Sequence, residues 1–270
     1  MAAKKPQSNH KTRSVTPAKR PGESRLLGKV AVVTGASRGI GNAIARTLAA
    51  EGCSVVITGR DATTLASSSK DLRRSLPGPS HAKHEHGQIL PVVCDVRDAD
   101  SVAALFASVK KAFGKIDVLV NNAGITPPFL TVEETTLEMW RDVIDTNLTG
   151  VFLCTRAALT MMQAGATVIN NLSVAATQVF PRYAAYSAAK RGALGFTLSL
   201  REELIPRGIR VLALMPGATA TDMWDHIMPN APRKRMIDVD SVAQAVLYAV
   251  LLPPNVNPSQ IMLDPTGGAL

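Results

Sequence analysis

The 270-residue sequence lacks long apolar runs and has few cysteines. No stretch approaches the ~20 apolar residues that cross a bilayer, and the N-terminus lacks the apolar segment of a secretory signal. Cys53, Cys94 and Cys154 are an odd number without metal-ligand spacing. These absences argue against a membrane protein, a disulfide scaffold and a cysteine metal site. We expect three free thiols in a cytoplasmic protein.

Positive charge exceeds negative charge, giving a net charge of +9, but the excess is local. Residues 1–25 carry seven basic residues and one acidic residue, so 23 basic and 20 acidic residues remain for the rest. Three prolines and a near absence of apolar residues predict that this tail is disordered. We interpret it as a solvating extension or a misassigned start. A weak contact with an anionic partner and an organelle-targeting peptide are alternatives, and we expect no nucleic-acid binding.

Tyr186 and Lys190 stand four residues apart, and Ser173 lies thirteen residues before the tyrosine. Positions four apart share a helix face, so the Lys190 ammonium would lie close to the Tyr186 phenol. A phenol titrates near ~10, and a nearby positive charge lowers that pKa. We predict that Tyr186 is a general acid or base and that Ser173 binds a carbonyl oxygen. For an isolated Tyr-x-x-x-Lys, an ordinary surface helix is the alternative.

A glycine turn near the N-terminus points to a bound dinucleotide. Residues 27–34 read as a buried strand, residues 42–51 as a helix, and Gly35, Gly39 and Gly41 lie in and around the turn between them. Gly35 permits the tight turn, Gly39 lets the backbone approach a pyrophosphate, and Gly41 allows close packing. The helix N-terminus then offers unpaired N–H groups to the phosphates.

The rest of the chain alternates strand-like and helix-like segments. Further strands are predicted at 54–58, 88–94, 117–120, 166–170, 209–214 and 260–263. Further helices are predicted at 63–76, 100–113, 137–162 with a break near Asn147, 183–205 and 239–252. This alternation over residues 26–270 predicts an α/β single-domain Rossmann fold, a doubly wound parallel sheet of about seven strands with helices on both faces.

The end of the second predicted strand indicates which dinucleotide binds. A carboxylate there would bind the adenosine ribose and repel a 2′-phosphate. This chain has Gly59 and Arg60 instead, and Arg38 lies in the glycine turn. Asp61 comes one residue late and is better explained as a helix cap. Because a guanidinium binds phosphate through a planar fork, we predict NADP(H) rather than NAD(H).

In their order along the chain, these motifs resemble the short-chain dehydrogenase/reductase family over roughly residues 26–268. The family pattern Thr-Gly-x-x-x-Gly-x-Gly begins at Thr34, Asn-Asn-Ala-Gly occupies 121–124, and Pro-Gly occupies 216–217. The resemblance implies a catalytic set of Asn147, Ser173, Tyr186 and Lys190. In that set Lys190 also holds the nicotinamide ribose, and Asn147 holds a water that links Lys190 to solvent.

The resemblance also implies the residues that contact NADP(H). Asp95 and Val96 match the family's adenine-contacting pair, and Asn121, Ala123 and Gly124 would line the cofactor at the end of the fourth strand. The predicted cofactor-binding residues are Gly35, Ser37, Arg38, Gly39, Ile40, Gly41, Arg60, Asp95, Val96, Asn122, Ala123, Gly124, Tyr186, Lys190, Pro216, Gly217, Thr219 and Thr221.

The substrate class is less defined by the resemblance. Residues 121–223 are most similar to the 3-oxoacyl-[acyl-carrier-protein] reductase branch, whereas residues 252–266 resemble NADP-dependent reductases of small hydroxy acids, aldehydes or ketones. The expected function is reduction of a 3-oxoacyl thioester, ketone or aldehyde. Reversible dehydrogenation of small hydroxy acids or alcohols is one alternative, and a catalytically silent NADPH-sensing regulator is another. The family also implies a homotetramer or homodimer.

Apolar residues predict a substrate cleft, and residues 217–237 would form a mobile lid. Core or subunit contacts are the alternative for the cleft residues, which are Pro127, Pro128, Phe129, Gln178, Val179, Phe180, Met223, Trp224 and Met228. The lid also carries Arg233, Lys234 and Arg235, which would be a solvated charge run, or would contact an acidic carrier protein or a carboxylate.

Three histidines between His81 and His86 resemble a metal cluster. They fall in a segment rich in proline, glycine and serine, away from the predicted site, so we interpret it as a solvated loop that traps metal only adventitiously. No metal is needed by the predicted hydride chemistry.

Overall fold

The computed structural model describes residues 24–76 and 87–268. Residues 1–23 of the predicted tail and the His81–His86 loop lie outside these ranges. The strands of the described part are β1 (Val30–Val33), β2 (Ser54–Gly59), β3 (Ile89–Val93), β4 (Val118–Asn121), β5 (Thr167–Asn171), β6 (Arg210–Pro216) and β7 (Gln260–Leu263). They form one seven-stranded sheet in the order β3-β2-β1-β4-β5-β6-β7, and every neighbouring pair is parallel.

Helices cover both faces of this sheet. The α-helices of the described residues are α1 (Gly39–Ala50), α2 (Ala62–Ser75), α3 (Ala99–Phe113), α4 (Leu137–Ile144), α5 (Gly150–Ala158), α6 (Ala184–Leu204), α7 (Trp224–Ile227) and α8 (Val239–Leu251). Ala31 and Val33 of β1 pack in a cluster with α1, α2 and α8, whereas Val32 packs in a second cluster with α3, α5 and α6. The predicted doubly wound α/β fold is therefore confirmed.

The central strands are apolar along their length because both faces of the sheet are covered. All four residues of β1 are buried, as are all seven of β6. Pro91 lies in β3, at the edge of the sheet, where a residue without an N–H group is tolerated.

Two predicted elements differ from the structure. The first predicted strand, 27–34, is shortened to β1 because residues 25–28 form a turn in which Gly28 has φ +75°. The predicted helix 137–162 is interrupted by a π-helical turn at Asp145–Thr149, which confirms the break near Asn147, and α5 ends at Ala158. Such single π turns are frequent at functional sites.

Candidate active site

A cavity of about 490 Å³ lies at the carboxyl ends of the central strands. In an open parallel sheet this edge is where ligands bind. Each residue predicted for catalysis or cofactor binding lines it: Gly35, Ser37, Arg38, Gly39, Ile40, Gly41, Arg60, Asp95, Val96, Asn122, Ala123, Gly124, Asn147, Ser173, Tyr186, Lys190, Pro216, Gly217, Thr219 and Thr221. Asn121 is the exception among the wider set, because its buried side chain donates hydrogen bonds to Thr155 and Asn170 instead.

The glycine turn after β1 is shaped by close approaches that leave no room for side chains. A Cβ on Gly35 would lie 2.7 Å from the Ala123 Cα, and Gly35 has φ +62°. A Cβ on Gly41 would lie 2.4 Å from the Asn122 Nδ2 and 2.5 Å from the Gly35 carbonyl oxygen. Helix α1 begins at Gly39, and Arg38 at its N-cap forms no side-chain capping hydrogen bond within the described residues. The first N–H groups of α1 thus face the cavity as a site for phosphate.

Thr34 and Asn122 hold the turn in place. The Thr34 hydroxyl accepts hydrogen bonds from the backbone N–H groups of Asn122 and Ala123 at 2.9 and 3.0 Å. The Asn122 amide donates to the carbonyl oxygens of Thr34 and Gly35 at 2.9 and 3.1 Å, and its own oxygen accepts from Asn171 at 2.8 Å. The Asn122 side chain is therefore committed to connecting β1, β4 and β5, and it lines the cavity in that role.

Basic groups and two hydrogen-bonded carboxylates lie near the predicted adenosine end of the cavity. Arg38 and Arg60 both line the cavity. The Asp61 carboxylate caps α2 by accepting hydrogen bonds from the Thr64 hydroxyl at 2.5 Å and the Thr64 N–H at 2.7 Å, and these bonds, the hydroxyl's above all, lower its pKa. The Arg97 guanidinium donates a hydrogen bond to the Asp95 carboxylate at 2.7 Å. Hydrogen bonding by Arg97 is the largest cause of the lowered pKa of Asp95. Asp61 thus acts as the predicted helix cap. The positive charge that faces the cavity near β2 comes from Arg38 and Arg60.

The four predicted catalytic residues come from three segments that meet at one side of the cavity. Asn147 lies in the π turn, Ser173 follows β5, and Tyr186 and Lys190 lie on α6. The Lys190 Nζ donates to the Asn171 carbonyl oxygen at 3.1 Å and lies 5.5 Å from the centroid of the Tyr186 ring.

Asn147 is oriented by its amide group. Its Nδ2 donates to the carbonyl oxygens of Ile125 and Val143 at 2.9 and 3.0 Å. Its buried Oδ1 has no hydrogen-bond partner among the described residues. A Cβ on Gly124 would lie 2.7 Å from that oxygen and 3.7 Å from the Lys190 Nζ, so the two groups face the same small space. An unpaired buried acceptor beside an ammonium group is suited to binding water.

Burial changes the proton affinities of Tyr186 and Lys190. Loss of water is the only cause of the shift at Lys190, where it lowers the pKa from 10.5 to about 8. At Tyr186 burial raises the pKa, Tyr183 adds to the increase, and a hydrogen bond from Ser173 opposes it. The predicted direction, a phenol pKa lowered by Lys190, is therefore wrong for this structure. Desolvation is the largest cause of the shift at both residues.

The aromatic residues at the other end of the cavity form the predicted substrate cleft in part. Phe129, Gln178 and Phe180 line the cavity, as do Met223, Trp224 and Met228. Val179 is instead 82% exposed. Tyr183 was missed by the sequence analysis as a site residue, although it lines the cavity and packs on Tyr186. A usable signal was its spacing of three residues before Tyr186 in a chain with only three tyrosines.

The segment 217–237, predicted as a lid, contains α7 and contributes residues between Gly217 and Met228 to the cavity lining. Thr219 pairs with Ile237 in a parallel bridge that closes the base of the segment. The Trp224 indole donates to the Thr219 carbonyl oxygen at 2.9 Å. Arg233 pairs with Asp225, and Arg235 donates to the Gly267 carbonyl oxygen at 3.3 Å, so two of the three basic lid residues have partners inside the chain.

Comparison with known proteins shows the family. Residues 29–232 match the family model described as short chain dehydrogenase. The chain therefore belongs to the short-chain dehydrogenase/reductase family of oxidoreductases, as its motifs predicted.

The relatives of this chain are named for different substrates. A 3-oxoacyl-[acyl-carrier-protein] reductase of Synechocystis sp. is 43% identical over 204 residues, which cover 75% of this chain and 78% of that protein. A 3beta-hydroxysteroid dehydrogenase of Mediterraneibacter gnavus is 37% identical over 73% of this chain and 68% of its own length. A short chain dehydrogenase from Burkholderia cenocepacia, solved in complex with NADP, superposes with a TM-score of 0.78 at 30% identity over 89% of this chain and 98% of that one.

The described residues contain neither a candidate membrane span nor a candidate metal cluster. None of their helices combines the length and the apolar character that crossing a membrane requires. None of their histidine, cysteine, aspartate and glutamate side chains gather in threes as a metal site would need. Cys53, Cys94 and Cys154 all lie in the described part, where they are buried free thiols, as predicted.

Proposed function

We propose that this protein is an NADP(H)-dependent reductase that converts a carbonyl group, in a 3-oxoacyl thioester, ketone or aldehyde, into an alcohol. One observation carries the proposal: a single cavity joins the glycine turn to Ser173, Tyr186 and Lys190. Proton donors beside a dinucleotide cradle are the arrangement that hydride transfer to a carbonyl requires.

The residues around the glycine turn fit a phosphorylated dinucleotide. The cradle at Gly35 and Gly41 lets backbone approach closely, and the open N-terminus of α1 suits a pyrophosphate. Arg38 and Arg60 line the cavity at the end of β2, where a 2′-phosphate would need a positive charge. The similar protein solved with NADP supports the same choice. We propose NADP(H) on these grounds.

When bound, NADPH would supply the hydride, and the chain would supply the proton. The Ser173 hydroxyl would donate a hydrogen bond to the substrate carbonyl oxygen, and the Tyr186 hydroxyl would transfer its proton to that oxygen. Burial raises the pKa of Tyr186, so the phenol is protonated at neutral pH and has a proton to donate in the reductive direction. Lys190 would stabilise the phenolate left behind. A water that donates a hydrogen bond to the unpaired Asn147 Oδ1 would return a proton to Tyr186 through Lys190.

The substrate proposal rests on one relative and on the walls of the cavity. The Synechocystis relative is named for 3-oxoacyl-[acyl-carrier-protein] reduction, and the similarity covers most of both chains. The apolar walls at Phe129, Phe180 and Met223 suit an acyl chain or a ring. We therefore place a 3-oxoacyl thioester first and a free ketone or aldehyde second.

The experiment is to follow cofactor consumption by the purified protein, with NADPH and NADH in parallel. The substrates are a 3-oxoacyl thioester, β-keto esters, aldehydes and cyclic ketones, with small hydroxy acids in reverse. We expect NADPH-dependent turnover that is fastest with the thioester. Turnover of free carbonyls alone would move the protein to the general carbonyl reductases. Binding of NADPH without any turnover would contradict the proposal and favour the silent regulator.

We also propose that the protein is a cytoplasmic homotetramer or homodimer, in keeping with the family resemblance. Exposed apolar residues on α4 and α5 support assembly, since Trp140 is 40% and Phe152 43% exposed. An acyl carrier protein would be its partner if the substrate is a thioester. Light scattering of the purified protein tests the oligomeric state directly.

A further inference from the structure

The ring of Tyr183 lies directly against the ring of Tyr186. Their centroids are 4.6 Å apart and their planes are inclined by 31°. Tyr183 is the N-cap of α6 and lies three residues before Tyr186. Lys190 lies four residues after Tyr186. Residues at these spacings lie along one helix face, so Tyr186 is enclosed between the Tyr183 ring and the Lys190 side chain.

Tyr183 is itself held from the opposite side by the loop that follows β4. Its hydroxyl is in short contact with the Thr126 hydroxyl. Its ring packs on Phe129, with centroids 4.9 Å apart and an angle of 45° between the planes. Three rings, Phe129, Tyr183 and Tyr186, therefore form a continuous stack. Aromatic pairs at such distances attract each other beyond the burial of their surfaces.

The backbone before Tyr183 is fixed in an unusual conformation. Arg182 has φ +62°, and it is the only non-glycine among the described residues with a positive φ. Its carbonyl oxygen accepts a hydrogen bond from the Leu130 N–H at 2.9 Å, and its guanidinium donates to Glu134 at 3.3 Å. Strain of this kind persists only where the surroundings hold it, and it is concentrated at functional sites. The same loop thus fixes both the ring of Tyr183 and the backbone that carries it.

We propose that Tyr183 is a positioning residue for Tyr186: it holds the phenol in its reactive orientation and keeps water from that side of the ring. This inference rests on the proposed function, because it assigns a role toward the Tyr186 hydroxyl. Hydroxyl groups of Tyr183 and Thr126 satisfy each other, so the contribution of Tyr183 to Tyr186 is made by its ring. Misplacing a reacting group by about 1 Å is enough to cost on the order of 10²-fold in rate.

The first test compares two substitutions at one position. Tyr183→Leu removes the ring, and Tyr183→Phe keeps it while removing only the hydroxyl. We expect Tyr183→Leu to lower kcat by about 10- to 100-fold with little change in the KM for NADPH. We expect Tyr183→Phe to lose less than about fivefold, the cost of one neutral hydrogen bond. Equal losses in both variants, or full activity of Tyr183→Leu, would overturn the inference.

The second test does not need turnover. Tetranitromethane nitrates accessible tyrosines, and mass spectrometry distinguishes the three tyrosines of this chain. Tyr248, which is 62% exposed, serves as the internal reference. We expect Tyr186 to be nitrated more slowly than Tyr248 in the wild type and in Tyr183→Phe, and markedly faster in Tyr183→Leu. Equal protection of Tyr186 in all three proteins would contradict the shielding.

The two tests separate this inference from the proposed function. An inactive wild type, with Tyr186 shielded only when a ring is present at 183, would refute the proposed function and leave the stacking role intact. An active wild type with an unchanged Tyr183→Leu would refute the inference alone. Thermal unfolding of each variant identifies a loss of activity that comes from unfolding.

Discussion

The two halves of the cavity are built in different ways. The glycine-turn half is fixed by the paired hydrogen bonds of Asn122 and by backbone packing so close that a Cβ on Gly41 would lie 2.5 Å from the Gly35 carbonyl oxygen. The substrate half is bounded by the loop after β4, the segment before α6 and the 217–237 segment. Two of its connections are exposed ion pairs, Arg182 with Glu134 and Arg233 with Asp225.

This difference explains why the reaction can be inferred from the sequence more readily than the substrate. Exposed ion pairs contribute about 0–1 kcal/mol each, so the substrate half can change its surface at little cost. The glycine-turn half has no such freedom, because a single methyl group would collide with backbone. The chemistry is therefore defined more sharply than the substrate.

Apart from loss of the Tyr186 hydroxyl, the largest effect is expected where the two halves meet. Ser173→Ala removes the hydroxyl that would bind the carbonyl oxygen, so kcat should fall by about 10²- to 10³-fold. The matched control is Ser187→Ala on α6, whose buried hydroxyl has no hydrogen-bond partner among the described residues. Steady-state NADPH oxidation measures both variants. Comparable losses in the two would remove Ser173 from the site.

The next effect tests the basic end of the glycine-turn half. Arg60→Ala removes a cavity-lining guanidinium, so the KM for NADPH should rise by about tenfold while the KM for NADH stays constant. Arg74→Ala is the control, since its side chain on α2 is 68% exposed. A parallel rise of both KM values would mean that Arg60 does not recognise the 2′-phosphate.

The rigidity of the glycine-turn half is tested by one methyl group. Gly41→Ala places its Cβ 2.4 Å from the Asn122 Nδ2, and overpacking of this kind costs about 1–3 kcal/mol. Gly195→Ala on α6 is the control, because no described atom lies within 4 Å of its Cβ, and it should stabilise by about 0.5–1 kcal/mol. Chemical denaturation measures both. A neutral Gly41→Ala would show that this half is as adaptable as the other.

The smallest effect concerns the buried lysine. Its folded-state pKa of about 8 lies below its ordinary 10.5, so between these values the unfolded chain binds more protons. Stability should therefore rise with pH across this window, by up to about 1.4 kcal/mol per pH unit relative to Lys190→Met. Denaturant unfolding of both proteins between pH 8 and 10 measures the difference. Parallel pH dependences would mean that Lys190 is not desolvated.

Sequence reasoning predicted the α/β fold and the catalytic and cofactor-binding residues that line one cavity, because motifs at the ends of parallel strands converge. It failed where burial decides the outcome. The spacing of Tyr186 and Lys190 indicates proximity, but the loss of water that sets their pKa values depends on the whole fold. Tyr183 was missed because its partners, Thr126 and Phe129, lie more than fifty residues earlier in the chain.

The most direct test of the account is to measure NADPH binding and substrate turnover on the same samples of wild type and Tyr186→Phe, with Tyr248→Phe as the control. We expect Tyr186→Phe to bind NADPH with the Kd of the wild type and to lose about 10²- to 10⁴-fold in kcat, the range of general acid catalysis. Wild-type turnover by Tyr186→Phe would contradict the central claim that Tyr186 delivers the proton.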